Sequence, residues 1–217
     1  MPPDRRRFEA VVFDFGGVLI TSISNQLGGL AASHDVDVDV ATMLEVIMGP
    51  RNSGPDHPWH RAERGEIAVA EIQGLLAPWA EPRGLSLHGD EMERLLAPGG
   101  YTVVTAMLER VAQLRSQGYR TGLLTNTFAE FQPTMQRDID FDLFDVVVES
   151  FAVGSRKPER AIYETTQDRL GVEHRAIVYL DDFDQNLVEP LALGWTTIHV
   201  GDQSEALVHL DAVLTDA

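Results

Sequence analysis

Cysteine is absent from the 217-residue chain. That excludes disulfides, thiolate metal sites and a thiol nucleophile, and it removes any support for a disulfide-stapled secreted design. Positive charge is scarce: 17 Lys and Arg face 34 Asp and Glu, a formal net charge of -17. Such a surface repels nucleic-acid phosphates and anionic membrane faces. The one basic cluster, Arg5-Arg6-Arg7, is too short to override it. Long apolar runs are missing as well. Segments such as Ala176-Ile177-Val178-Tyr179-Leu180 fall far short of the ~20 residues of a membrane span, and no apolar signal region precedes Phe8. With 44% hydrophobic residues the chain can still bury a real core. The expectation is a cytoplasmic globular protein with neither nucleic acid nor membrane among its partners, its oligomeric state left open.

What is present reads as alternating strands and helices. Short β-branched or aromatic runs bounded by polar residues or glycine predict buried parallel strands at 10–15, 120–125, 144–148, 176–180 and 196–200. Between them, Tyr101 to Gln117 places Val104, Met107, Leu108, Val111 and Leu114 at helical spacing before Gly118, and Lys157-Pro158-Glu159 opens another helix. The fold class is α/β, a doubly wound parallel sheet. Residues 21–97 break the alternation with helical patterns at 40–48, 58–66 and 67–79 and no convincing strand. They predict an inserted all-helical unit, with 1–20 plus 98–217 forming the sheet-bearing core. The run Gly49-Pro50-Arg51-Asn52-Ser53-Gly54-Pro55-Asp56 inside it is dense in turn formers and predicts an exposed loop.

In a doubly wound sheet the carboxyl ends of the strands share one edge, and ligands bind there. That rule gathers Asp14, Thr125-Asn126, Asp181-Asp182 and Lys157. Three carboxylates so close repel one another unless a cation sits among them, and hard oxygen donors suit Mg2+. The site asks for a divalent ion and an anionic substrate.

These residues stand in Val11-Val12-Phe13-Asp14-Phe15-Gly16-Gly17-Val18-Leu19, Leu123-Leu124-Thr125-Asn126, Ser155-Arg156-Lys157-Pro158 and Val178-Tyr179-Leu180-Asp181-Asp182. Taken together and in this order they resemble the four motifs of the haloacid dehalogenase superfamily. The helical insert resembles its C1 cap. Pro58 to Ile67 is similar to cap segments of the phosphatase domain of soluble epoxide hydrolase and of bacterial sugar-1-phosphate phosphatases. The resemblance implies a Mg2+-dependent phosphatase acting on a small phosphomonoester of the sugar-phosphate class. It makes Asp14 the nucleophile that forms an aspartyl-phosphate. Its other oxygen, the Gly16 carbonyl and Asp182 would hold Mg2+, with Asp181 a second or water-mediated ligand. Thr125 and the Asn126 backbone would hold phosphoryl oxygens, and Lys157 would neutralise charge on the nucleophile and the phosphoryl group. Positioning and cations beside the equatorial oxygens are what phosphoryl transfer requires.

One position departs from the pattern: phosphatases of the superfamily usually carry Asp two residues after the nucleophile, and here that residue is Gly16. A missing general acid or base costs on the order of 10²–10⁴ in rate. Two other readings therefore stand beside the first, a 2-haloacid dehalogenase working without metal and a phosphate-binding or interaction protein that lost turnover. A receiver domain does not fit, because its acidic pair follows the first strand and its acceptor the third. Within the insert, Arg51 could read a second anionic group. His60 and Glu63 share one helix face and could supply the missing acid, although a solvated face is the commoner role for such a pair. Trp59 is expected to pack helices, and Asp138, Asp140, Asp142 and Asp145 to be surface charge.

Overall fold

In the computed structural model, residues 6–21, 40–49, 57–83 and 101–215 are described. Five parallel strands, β1 (Ala10–Phe13), β2 (Arg120–Thr125), β3 (Val146–Glu149), β4 (Ile177–Asp181) and β5 (Thr196–His199), form one sheet in the order β3-β2-β1-β4-β5. The first strand lies at the centre, and the chain reverses direction across it. That reversal opens the crevice in which ligands of such sheets bind.

The insert contributes α1 (Val40–Ile47), α2 (Pro58–Glu63), α3 (Val69–Leu75) and α4 (Ala77–Ala80). The core adds α5 (Thr105–Ser116), α6 (Gln132–Asp138), α7 (Ser150–Val153), α8 (Arg160–Leu170), α9 (Asp184–Leu193) and α10 (Gln203–Thr215). Strand side chains alternate between two apolar layers. Val11, Phe13, Leu123, Val178 and Leu180 pack with Met107, Val111 and Leu114 of α5 and Ala206 and Leu210 of α10. Ala10, Val12, Leu124, Ile177 and Tyr179 pack with Ile162 and Tyr163 of α8 and Leu187 of α9.

The two chain segments joining insert and sheet are zipped together: Thr21 N donates to Thr102 O (2.9 Å) and Val104 N to Leu19 O (2.8 Å). Among its described residues the insert carries helices and no strand, with an apolar centre of Met43, Val46, Ile47, Trp59, Ile72 and Leu76 that also takes in Phe128 of the core.

Several boundaries differ from the sequence expectation. The helix expected over 67–79 is two, because Pro78 offers no N–H and its ring would clash with the carbonyl of Gly74. The helix expected over 58–66 stops at Glu63, where Gly65 turns to φ 71. Asp14 lies one residue beyond β1, at the head of a wide turn over Phe15–Leu19. Lys157 is not in a helix; α8 starts at Arg160 with Glu159 as N-cap. The residue before a proline is pushed out of the helical region, and Glu159 ties the preceding turn by accepting from Ser155 Oγ (3.0 Å) and Arg156 N (3.1 Å).

Candidate active site

β1, β2 and β4 deliver Asp14, Thr125 and Asp181 to the same sheet edge, and the loop before α8 brings Lys157 over it. The Asp14 backbone N–H donates to Leu180 O (2.9 Å), and its Oδ1 accepts from Phe15 N (2.6 Å). Lys157 Nζ stands 2.8 Å from that Oδ1 and 2.7 Å from Asp181 Oδ2. The ammonium is fully enclosed at 1% exposure, a burial that carries meaning because an unpaired lysine would not stay there.

Burial pushes the Asp14 carboxyl well above the usual carboxylate range; Lys157 pulls it back, and Asp181 and Asp182 push it up again. Burial alone would lower the Lys157 ammonium, but Asp14 and Asp181 outweigh it and hold the group up. Carboxylate oxygens of Asp14, Asp181 and Asp182 lie within 4.8 Å of one another.

The two adjacent acids have different surroundings. Asp181 is fully buried and takes donors on both oxygens: Lys157 Nζ and the Tyr179 hydroxyl on Oδ2, Phe183 N (2.8 Å) on Oδ1, and the Asn186 amide on both at 3.0 and 3.2 Å. Asp182 faces the turn after β1. A Cβ on Gly17 would lie 2.1 Å from Asp182 Oδ2, and Gly17 stands at φ 69, so both space and backbone demand glycine there. Gly16 differs: its φ and ψ of -68 and 136 suit any residue, and nothing lies within 4 Å of where its Cβ would be.

Asn126 is spent on the loop that carries Lys157. Its side-chain oxygen accepts from Lys157 N (2.8 Å), and its amide nitrogen donates to Lys157 O (3.0 Å). The motifs ending β2 and preceding α8 are thereby fixed to each other, and the Asn126 carbonyl accepts from Thr125 Oγ1 (3.4 Å). Thr125 is buried at the end of β2.

In the insert, the solvated face expected for His60 and Glu63 is corrected by burial: both are enclosed, as is His57. Burial pushes His60 down to about 3 and His57 to about 4, so both rings are neutral near pH 7 and neither carries the imidazolium proton a general acid would give. Glu63 is engaged by Arg156 Nε on one oxygen and by Trp59 Nε1 (2.9 Å) on the other. Trp59 packs edge-on against Phe128 with ring centroids 4.8 Å apart. Arg51 lies outside the described residues. Of the acidic run, Asp138 accepts from the Tyr101 hydroxyl (2.6 Å) and Asp145 from Thr121 N (2.9 Å).

Sequence reasoning passed over Tyr179, Asn186 and Arg156. Tyr179 could have been found, since it lies two residues before Asp181 on one strand and shares its face. Asn186 and Arg156 act across loop and helix contacts that spacing does not reveal.

A parallel sheet of this order, with a carboxylate just past its central strand and an enclosed lysine against it, defines a Rossmann-like α/β protein with a charged site at the carboxyl edge of its sheet. The chain belongs to the haloacid dehalogenase-like hydrolase family, whose profile matches residues 8–186. Among curated proteins it is 32% identical over 215 residues to acyl-CoA dehydrogenase family member 10 of Mus musculus, covering 96% of this chain and 19% of that protein. It is 35% identical over 114 residues to bifunctional epoxide hydrolase 2 of Rattus norvegicus, covering 49% and 20%. The chain thus spans about a fifth of the length of these two relatives. With a sesquiterpene phosphatase of Aspergillus oryzae it shares 25% identity over 206 residues, 94% of this chain and 95% of the relative.

Among solved structures, a haloacid dehalogenase-family enzyme of Bacteroides thetaiotaomicron in complex with magnesium and inorganic phosphate superposes with a TM-score of 0.64 at 18% identity, covering 91% and 98%. The L-2-haloacid dehalogenase of Xanthobacter autotrophicus with covalently bound chloropropionic acid gives 0.61 at 18%, covering 93% and 81%. At these identities the likeness is one of fold. No helix among the described residues is long and apolar enough to cross a membrane.

Proposed function

We propose that the protein is a Mg2+-dependent phosphatase acting on a small phosphomonoester, with residues 21–97 serving as a cap over a core of 1–20 and 98–217. The observation that carries this reading is the charge of the cluster. Three carboxylates within 4.8 Å against one enclosed ammonium leave a formal charge of about -2, which a divalent cation balances. The phosphatase among the relatives supports the reading too.

Asp14, Asp182 and the Gly16 carbonyl would hold Mg2+, which when bound supplies positive charge beside the phosphoryl oxygens. Asp181, saturated by four donor groups, fits better as the anchor of Lys157 than as a direct ligand. Asp14 attacks phosphorus: the bond from its carboxylate oxygen to phosphorus forms while the bond to the leaving alkoxide breaks. Water then attacks the phosphorus of the aspartyl-phosphate, releases phosphate and restores Asp14. Thr125 and the Asn126 main chain bind phosphoryl oxygens, and Lys157 offsets charge on them through the transition state. With Gly16 where an acid would stand, the leaving oxygen takes its proton from solvent.

The test is a panel of phosphomonoesters, hexose phosphates among them, assayed with and without Mg2+ beside a 2-haloacid. Metal-dependent phosphate release is expected; metal-independent halide release, or silence throughout, would overturn the reading.

A further inference from the structure

Lys157 is held from two directions. On the core side Asn126 clasps its backbone. On the insert side both flanking segments are tied to the end of α2: Arg156 Nε donates to Glu63 Oε2, and Arg64 Nη1 lies 3.0 Å from Glu159 Oε1. The first pair is sheltered, with side-chain exposures of 5% for Glu63 and 15% for Arg156, so neither charge can be left alone without cost. Glu63 also takes Trp59 Nε1, and Trp59 leans on Phe128, three residues past Thr125. At Gly65 the insert meets the core backbone to backbone: a Cβ there would lie 2.8 Å from Phe151 O. One short helix therefore touches both loops that present Thr125 and Lys157.

Resting on the assignment of Lys157 proposed above, the geometry points to Glu63 as a positioning residue that acts through Arg156. Glu63 fixes Arg156, Arg156 fixes the adjoining Lys157 main chain, and the ammonium is thereby aimed at Asp14. A cation displaced by about 1 Å costs far more against charge developing in the transition state than against a bound substrate. Loss of the pair therefore falls on kcat.

Glu63→Gln keeps the size of the side chain and an oxygen for Trp59 while removing the charge that faces Arg156. Its kcat should fall roughly tenfold to a hundredfold with KM nearly unchanged. Glu63→Gln combined with Arg156→Gln should be no slower than the single variant, because the two groups act as a unit. Hydrogen exchange at the amides of Ser155, Arg156, Lys157 and Glu159 should accelerate in Glu63→Gln while strands β1 and β2 keep their protection. Arg61→Gln, on the exposed side of the same helix, should change neither readout. Should Glu63→Gln not fold, Arg156→Gln is read in the same way. Unchanged exchange at 155–159 in the folded variant, unchanged kcat, or a rise in KM alone would overturn the role. A wild type inert toward every phosphomonoester would sink the proposed function instead, and the exchange measurement alone would then decide for or against Glu63.

Discussion

Gly16→Asp places a carboxyl two residues after Asp14, and the structure shows that the backbone permits it. Gly16 has φ -68 and ψ 136, with open space in the Cβ direction. Replacing glycine at such a site stabilises by about 0.4–1 kcal/mol through the unfolded chain. The electrostatic term opposes it. Across the turn that begins at Phe15, a carboxylate at position 16 adds a like charge near Asp14, which at ~6 Å and an effective dielectric of 20 costs ~3 kcal/mol. That repulsion raises the introduced carboxyl above its ordinary value, so part of it stays protonated near pH 7. General acid catalysis of 10²–10⁴ is then reduced to a gain of roughly 10–10³.

The gain should appear on a hexose phosphate, whose alkoxide leaves poorly without a proton, and nearly vanish on p-nitrophenyl phosphate, whose phenolate leaves unaided. The assay is kcat on both esters for wild type and variant under saturating Mg2+, after circular dichroism has shown both to be folded. Equal acceleration of both esters, or a wild type that already hydrolyses both with similar kcat, would refute the argument that Gly16 leaves the leaving group unassisted.

The two neighbouring acids should separate in a Mg2+ titration: Asp182→Asn is expected to weaken binding about tenfold or more, whereas Asp181→Asn should leave affinity closer to wild type and lower kcat by loosening Lys157. Calorimetry with each variant checks this, and equal losses of affinity would make both residues ligands. A pH dependence of stability should come from the insert. His57 and His60 are held down to about 4 and about 3 by burial, so the unfolded chain binds more protons than the folded one below the ordinary histidine value near 6.5. Their neutral burial therefore costs nothing above that value and destabilises increasingly as pH falls toward 4. Thermal midpoints should drop over that window in wild type and drop less in His60→Gln; parallel curves would contradict it.

The sheet was legible because parallel strands read as short apolar or β-branched runs bounded by polar residues or glycine, and the expectation for β2 matches the structure residue for residue. Its chemistry was legible for the same reason: chain order places residues at the carboxyl edge before any contact is known. Illegible were the facts that depend on which way a side chain turns. Adjacent acids look alike in a sequence, yet Asp181 faces inward on β4 with Tyr179 while Asp182 faces the Gly17 turn. Polar residues on a short helix suggest a wet face, yet His60 and Glu63 are buried. Proline's preference for the first helical turn predicts a helix starting at Lys157, but the same proline bars its predecessor from helical geometry.

The central claim is that the Asp14 carboxylate is the group to which phosphorus is transferred. Wild-type enzyme mixed with excess p-nitrophenyl phosphate and Mg2+, quenched in acid during turnover and digested, should yield the peptide carrying Asp14 with one added phosphoryl group. Asp14→Asn, of equal volume but without a nucleophilic carboxylate, should show neither that adduct nor turnover while keeping its fold. A phosphorylated peptide elsewhere in the chain, or more than about a tenth of wild-type turnover in Asp14→Asn, would contradict the account.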